Sequence, residues 1–256
     1  MCLIAVAWQQ HPDFPLVVVA NRDEFFARPA APATWWPDEP DILAGRDLSA
    51  GGTWLGVSRS GRFAALTNYR DPANNRADAR TRGELVLDTL RSRTRADALG
   101  AAVCARRADY NPFNLLIHDG DALAIVESAA GSARTLPPGI HALSNHLLDT
   151  PWPKVRHARQ ALEAALDTLP DPAGLLAALR DDRPAPDAEL PSTGISHEWE
   201  RLLSSCFIRA PGYGTRCTTA VLMGRDGQCH FVEQRWSEAG TPAGRTDISF
   251  ARQAPH

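Results

Sequence analysis

The stretch MCLIAVAWQQHPDFPLVVVANRDEF, residues 1–25, decides the fold. Residues 2–8 are a short apolar run, and Gln9, Gln10, His11, Pro12 and Asp13 do not continue a strand. Residues 16–20 are a second apolar run, rich in β-branched side chains. Two such runs around a proline-containing loop predict antiparallel strands. If Trp8 pairs with Leu16, Cys2 falls opposite Arg22, and Asn21-Arg22-Asp23 lies beside the chain terminus. A thiol, a guanidinium and a carboxylate then meet at the open end of one hairpin, joined by an amine if Met1 is removed.

Working outward, residues 28–40 are rich in Pro and Ala and carry Trp35-Trp36, which predicts an ordered loop laying aromatics over a neighbour. Residues 51–57 read as a turn entering a strand, and Ser60-Gly61 turns the chain into a second hairpin at 63–68. Residues 83–91 and 96–105 have helical spacing of Leu, Val and Ala. Residues 114–117 and 123–127, joined by Asp119-Gly120, predict a third hairpin, and 139–143 a strand ending at Ser144-Asn145. Residues 152–169 give the strongest helix, with Val155, Leu162, Ala165 and Leu166 on one stripe, followed by a short helix at 175–179. A Pro/Asp-rich surface loop at 183–191 precedes strands at 206–208, 216–223 and 228–236, and the tail after Ala239 reads as frayed. Hairpins outnumber β-α-β alternation, so the expected class is α+β with antiparallel sheets. Strands such as 16–20 are apolar on both faces, so their sheets should be covered on both sides. An αββα sandwich, two mainly antiparallel sheets between helix layers, satisfies this. With no internal repeat and no linker, a single domain is expected over residues 1–256.

The chain has 256 residues, 44% hydrophobic and 22% charged, ample for a large core. A net charge of -3 gives no global case for nucleic acid or an anionic membrane surface. Lys154 is the only lysine among 27 basic side chains, a skew that reads as compositional bias. No apolar segment approaches membrane-spanning length, and the N-terminus lacks the basic region of a signal peptide. Five widely spaced cysteines without a C-x-x-C predict free thiols and a cytoplasmic location.

Cys2 is the residue most suited to nucleophilic chemistry. Once Met1 is removed, its own α-amine, with a reference pKa near 8, is a base within reach of its thiol. Arg22 would favour the thiolate, and Asp23 would orient the amine. On a regular strand the two cannot both face the thiol, because neighbouring side chains alternate. Asn68 and Asn145 each end a predicted strand, and a side-chain amide there suits a developing oxyanion. Arg216, entering a strand from the turn 211–214, is suited to clamp a carboxylate or carbonyl. Other chemistry finds no motif: there is no G-x-S-x-G, P-loop or dinucleotide fingerprint. His141 and His146 lack the spacing of a zinc site, so no metal is expected.

The run NRDEF at 21–25, Met-Cys at the start, GRD at 45–47, GGTWLGV at 51–57, LTNYRDP at 66–72 and LSN at 143–145 resemble the NRDE family. This is also called the Transport and Golgi organisation protein 2 family, and the likeness runs to about Trp236. More distantly, the order of Cys2, Asp23, Asn68, Asn145 and Arg216 is similar to the choloylglycine hydrolase and penicillin V acylase group. The resemblance implies an N-terminal-nucleophile fold of αββα architecture. It also implies Cys2 as nucleophile, Asp23 as amine partner, the two asparagines as oxyanion donors and Arg216 as substrate-positioning residue. The chain departs in one place: that group has an arginine three residues before the aspartate, where this chain has Ala20, and Arg22 lies two residues on along the same face.

The expected chemistry is therefore acyl transfer to water, cleaving an amide or thioester of a small-molecule acyl substrate through acyl-Cys2, with no cofactor required. The alternative that the resemblance implies is a non-catalytic carrier of haem or an acyl-lipid or acyl-CoA ligand. No nucleic acid partner and no membrane span are expected, and the sequence leaves the oligomeric state open.

Overall fold

The computed structural model describes residues 2–253. In chain order the strands are β1 (Cys2–Trp8), β2 (Leu16–Phe25), β3 (Ala30–Trp36), β4 (Glu39–Asp47), β5 (Leu55–Ser58), β6 (Phe63–Asn68), β7 (Phe113–His118), β8 (Leu123–Glu127), β9 (Ser132–Thr135), β10 (Gly139–Leu143), β11 (Arg209–Ala210), β12 (Tyr213–Met223), β13 (Gln228–Trp236) and β14 (Pro242–Ala251). The helices are α1 (Gly83–Arg91), α2 (Ala96–Ala105), α3 (Pro153–Ala165), α4 (Ala173–Ala178) and α5 (His197–Leu202). The chain divides into two compact units: residues 2–27, 70–73 and 138–249 form one, and residues 28–69, 74–137 and 250–253 the other.

The first unit is built on a seven-stranded sheet in the order β10-β1-β2-β12-β13-β14, with β11 paired to β12. Every pairing that carries the site is antiparallel. Period-2 alternation places Leu3, Ala5 and Ala7 of β1 on one face with Val17 and Val19 of β2. That face packs under α3 and α4 through Val155, Ala158, Leu162, Leu175 and Leu176. Ile4, Val6 and Val18, on the opposite face, are just as deeply buried. Apolar runs with no polar alternation thus mark strands covered on both sides, as expected. Pro153 opens α3 at its first position, where its missing N–H would have had no intrahelical partner.

The second unit holds a seven-stranded sheet running β3 to β9 in sequence order. Helices α1 and α2 cover one face of it, with Leu85, Leu90 and Val103 against Ala64, Leu66, Leu115, Ile117 and Val126. Two antiparallel sheets, each with its own helix layer, make up the α+β, αββα class that the hairpin count predicts.

Three local expectations fail, for stated reasons. Residues 28–40 are not a loop: β3 and the start of β4 occupy them, with register shifts between Ala31 and Thr34 and between Trp35 and Trp36. The prolines fall where an irregular edge tolerates a missing donor. Residues 206–208 form no strand, and the short β11, Arg209–Ala210, pairs with β12 instead. The tail is not frayed through Ala251. It forms β14, whose half-exposed alternation of polar and apolar side chains hides the strand from a reading based on apolar runs.

Candidate active site around Cys2

The hairpin register is the one read from the sequence: Trp8 pairs with Leu16 and Cys2 with Arg22. Cys2 and Arg22 thus lie side by side on the face turned away from α3 and α4. Asn21 and Asp23, one residue either side, project toward the helix layer. A regular strand resolves the alternation problem by giving Arg22 to the thiol's face and Asp23 to the other. The backbone N–H of Asp23 still reaches the Cys2 sulfur.

Cys2 is 7% exposed. Burial pushes its thiol above the usual range, and the nearby Arg22 opposes this only in part. The depressed pKa expected from a neighbouring guanidinium is therefore not what this site has, because desolvation of a thiolate outweighs a partly exposed cation. Asp23 is also buried, and burial raises its carboxyl too. Its Oδ1 accepts from Thr215 Oγ1 at 2.7 Å, and the same hydroxyl accepts the Ile208 N–H at 2.9 Å.

Asn21, the first residue of the NRDE run, is structural. Its Nδ2 donates to the carbonyls of Leu179 (2.9 Å) and Cys206 (2.8 Å), and its Oδ1 accepts from Thr218 Oγ1 at 2.6 Å. It ties β2 to the end of α4 and to the segment before β11. Asn21→Ala would strand buried polar groups of three partners, so it should lower unfolding free energy by about 2–4 kcal/mol. Urea denaturation checks this, and a loss below about 1 kcal/mol would contradict a latch role.

Asn145 is fully buried just past the end of β10. The β1–β10 register, Ile4 opposite Leu143, continued two residues, sets Asn145 level with Cys2. Ser144 Oγ donates to the Cys2 carbonyl at 3.4 Å and to Asn145 Oδ1 at 3.2 Å. Arg216 is the extra residue of a bulge in β12, between the Asp23–Thr215 and Arg22–Cys217 pairs. Its Nη1 donates to the Phe25 carbonyl at 2.9 Å, and its guanidinium lies 5.2 Å from the Phe26 ring centroid. Asn68 ends β6 in the other unit, paired with Phe113. His141 does have a carboxylate companion, Asp149 at 2.8 Å, but no metal-holding cluster of His, Cys, Asp or Glu occurs among the described residues.

Sequence reasoning missed three groups here. Lys154, in the first turn of α3, is 3% exposed, and its Nζ has no hydrogen-bond partner. Its charge interacts with Arg70, Asp23, Cys206 and Cys2, and burial brings its pKa down to about 8. Its single occurrence was the available signal. Arg70 Nη1 donates to Glu200 Oε2 at 2.6 Å, and its own N–H donates to the Asn145 carbonyl at 2.8 Å. Cys217, opposite Arg22, is a second buried thiol in the same row, and burial raises it well above the normal range. None of the five cysteines is in a disulfide, and all are buried. No helix among the described residues is long and apolar enough to cross a membrane.

A sequence model of the Transport and Golgi organisation 2 family matches residues 1–238. The bovine Transport and Golgi organization protein 2 homolog is 37% identical, covering 91% of this chain and 92% of its own. The human homolog is 35% identical over the same shares of the two chains. Among solved structures, the C2A mutant of conjugated bile acid hydrolase from Clostridium perfringens aligns with a TM-score of 0.45 and 11% identity, covering 97% of this chain and 92% of that one. The chain belongs to the Transport and Golgi organisation 2 family.

Proposed function

We propose that this protein hydrolyses an acyl amide or thioester through an acyl-Cys2 intermediate. The observation that carries the reading is the pairing of Cys2 with Arg22 at the hairpin end, with Asp23 buried at the next position. Because burial raises the Cys2 pKa, the resting group is a thiol, and attack requires a base. After removal of Met1, the α-amine of Cys2 is that base. It takes the thiol proton as Sγ bonds to the acyl carbon. The carbonyl oxygen becomes an oxyanion facing Asn145. As the C–N or C–S bond breaks, the ammonium returns its proton to the leaving amine or thiol. Water then adds to the thioester, with the amine again accepting a proton, and the carboxylate product leaves Cys2 as thiol. Asp23 orients the amine, and Arg22 favours charge on sulfur. Asn68 as second oxyanion donor and Arg216 as substrate-positioning residue enter on the sequence resemblance alone.

The burial of Cys2 also favours a second reading, a pocket that holds haem or an acyl-lipid without turnover and uses Cys2 only as packing. The test is a panel of acyl amides and thioesters followed by intact-mass and peptide mass spectrometry. An acyl increment on the N-terminal Cys2 peptide, absent in Cys2→Ala, is expected. Ligand binding of equal strength in wild type and Cys2→Ala, with no increment in Met1-free protein, would establish the carrier instead.

A further inference from the structure

Two buried cations at the Cys2 end of the first unit have donors left over. Arg70 has a side chain 6% exposed and uses Nη1 on Glu200, while Nε and Nη2 are buried without a partner. Glu200 is itself held by the Thr193 N–H (2.7 Å) and hydroxyl (2.5 Å), which fixes the Arg70 fork in place. The ring of Trp152, 5.1 Å from the guanidinium carbon, sits on its face. Lys154, two residues after Trp152, leaves its Nζ buried and unpartnered. Apart from burial, the largest influence on Lys154 is the repulsive charge of Arg70. A fold that buries a guanidinium and an ammonium, each with unused N–H groups, leaves part of their desolvation cost for an anion to offset. Asp23 does not settle it, because its carboxyl is hydrogen-bonded to Thr215 and pushed by burial toward the neutral form.

The shape of the unused donors selects the anion. The Nε/Nη2 edge of a guanidinium presents two parallel N–H groups that match the two oxygens of a carboxylate. Lys154 adds a point charge beside it. The Arg70 backbone N–H is bonded to the Asn145 carbonyl, level with Cys2, which sets Arg70 at the Cys2 end of the sheet. By contrast, the cavity of about 300 Å³ lined by Lys154, His157, Asp181, Arg183 and Cys206 brings no second free donor, since Arg183 is already paired with Asp181 at 2.8 and 2.7 Å.

We propose that Arg70 and Lys154 form a carboxylate-binding subsite, so that the acyl compound taken by this protein carries a free carboxylate. The substrate assignment rests on the acyl-transfer reading; the binding itself does not. Lys154 being the sole lysine, protein labelled with [13Cε]lysine gives one side-chain signal that reports Nζ directly. Titration with N-acetylglycine should shift this signal saturably and move its pH midpoint upward from about 8, because an anion favours the ammonium against burial and the repulsion of Arg70. N-acetylglycinamide should not. Lys154→Met should weaken N-acetylglycine binding at least about tenfold by thermal-shift titration, and Arg70→Gln likewise. If Arg70→Gln fails to fold for want of the Glu200 partner, Lys154→Met decides, since methionine occupies the same apolar stem. A Lys154 signal indifferent to N-acetylglycine overturns the subsite. A response to inorganic phosphate as strong as to N-acetylglycine overturns the carboxylate assignment. In Cys2→Ala protein the binding should persist. Binding without turnover therefore sinks acyl transfer and spares the subsite, whereas Cys2-dependent turnover of neutral substrates without N-acetylglycine binding does the reverse.

Discussion

Protein with one glycine inserted between Met1 and Cys2 hydrolyses acyl substrates about 10²–10⁴-fold more slowly than protein whose Cys2 amine is free, the range a positioned general base supplies. The insertion turns that amine into an amide, which accepts no proton. It removes none of the side chains of the site. Cys2 still pairs with Arg22, and Asp23 still accepts from Thr215, because the β1–β2 ladder is held by pairs from Trp8–Leu16 inward. The burial of Cys2 makes the expected loss large. A thiol with a depressed pKa attacks without a base, whereas one raised by desolvation does not. The measurement is steady-state turnover beside intact mass, with the unfolding midpoint as control. Undiminished turnover in extended protein of unchanged stability would remove the amine from the mechanism and leave a side-chain base, for which Lys154 is the buried amine at hand.

What the sequence discloses follows from which signals are local. The β1–β2 register was legible because two apolar runs bracket a loop that cannot be strand. The Cys2–Arg22 meeting follows from counting along that ladder. The place of Asn145 just past a strand end, level with Cys2, was legible because LSN closes an apolar run. Lys154 and Arg70 were not, since α3 and a short connecting segment carry them. Only tertiary packing brings those elements to the Cys2 end of the sheet. The sign of the Cys2 pKa was misread for the same reason. The sequence displays the neighbouring charge of Arg22 but not the depth of burial, and the second effect is the larger. β14 and the strand in residues 30–36 were missed because edge strands are held by backbone pairing and need no apolar run. Asn21, adjacent to two charged candidates, is a latch in the fold, a role that rests on partners distant in sequence.

Alkylation of Cys2 by iodoacetamide in the glycine-extended protein climbs about 100-fold from pH 6.5 to 8.5 without a plateau, tenfold per pH unit as the thiolate fraction grows. The sign follows from the raised thiol: its pKa lies above the ordinary value near 9.0, so this whole range is on the rising limb. A plateau within this range would show that burial is not the dominant effect. Cys206, pushed by burial to about 12, and Cys217, raised well above normal, should label more slowly than Cys2 throughout. Arg22→Gln removes a cation that favours the thiolate, so labelling at pH 8 should fall further. An unchanged rate in that variant would take Arg22 out of the thiol's electrostatics. Exposing the Cys2 amine then adds an ammonium next to the sulfur, and labelling near pH 7 should rise relative to the extended protein. That increase measures what Met1 removal contributes to the nucleophile apart from its role as base.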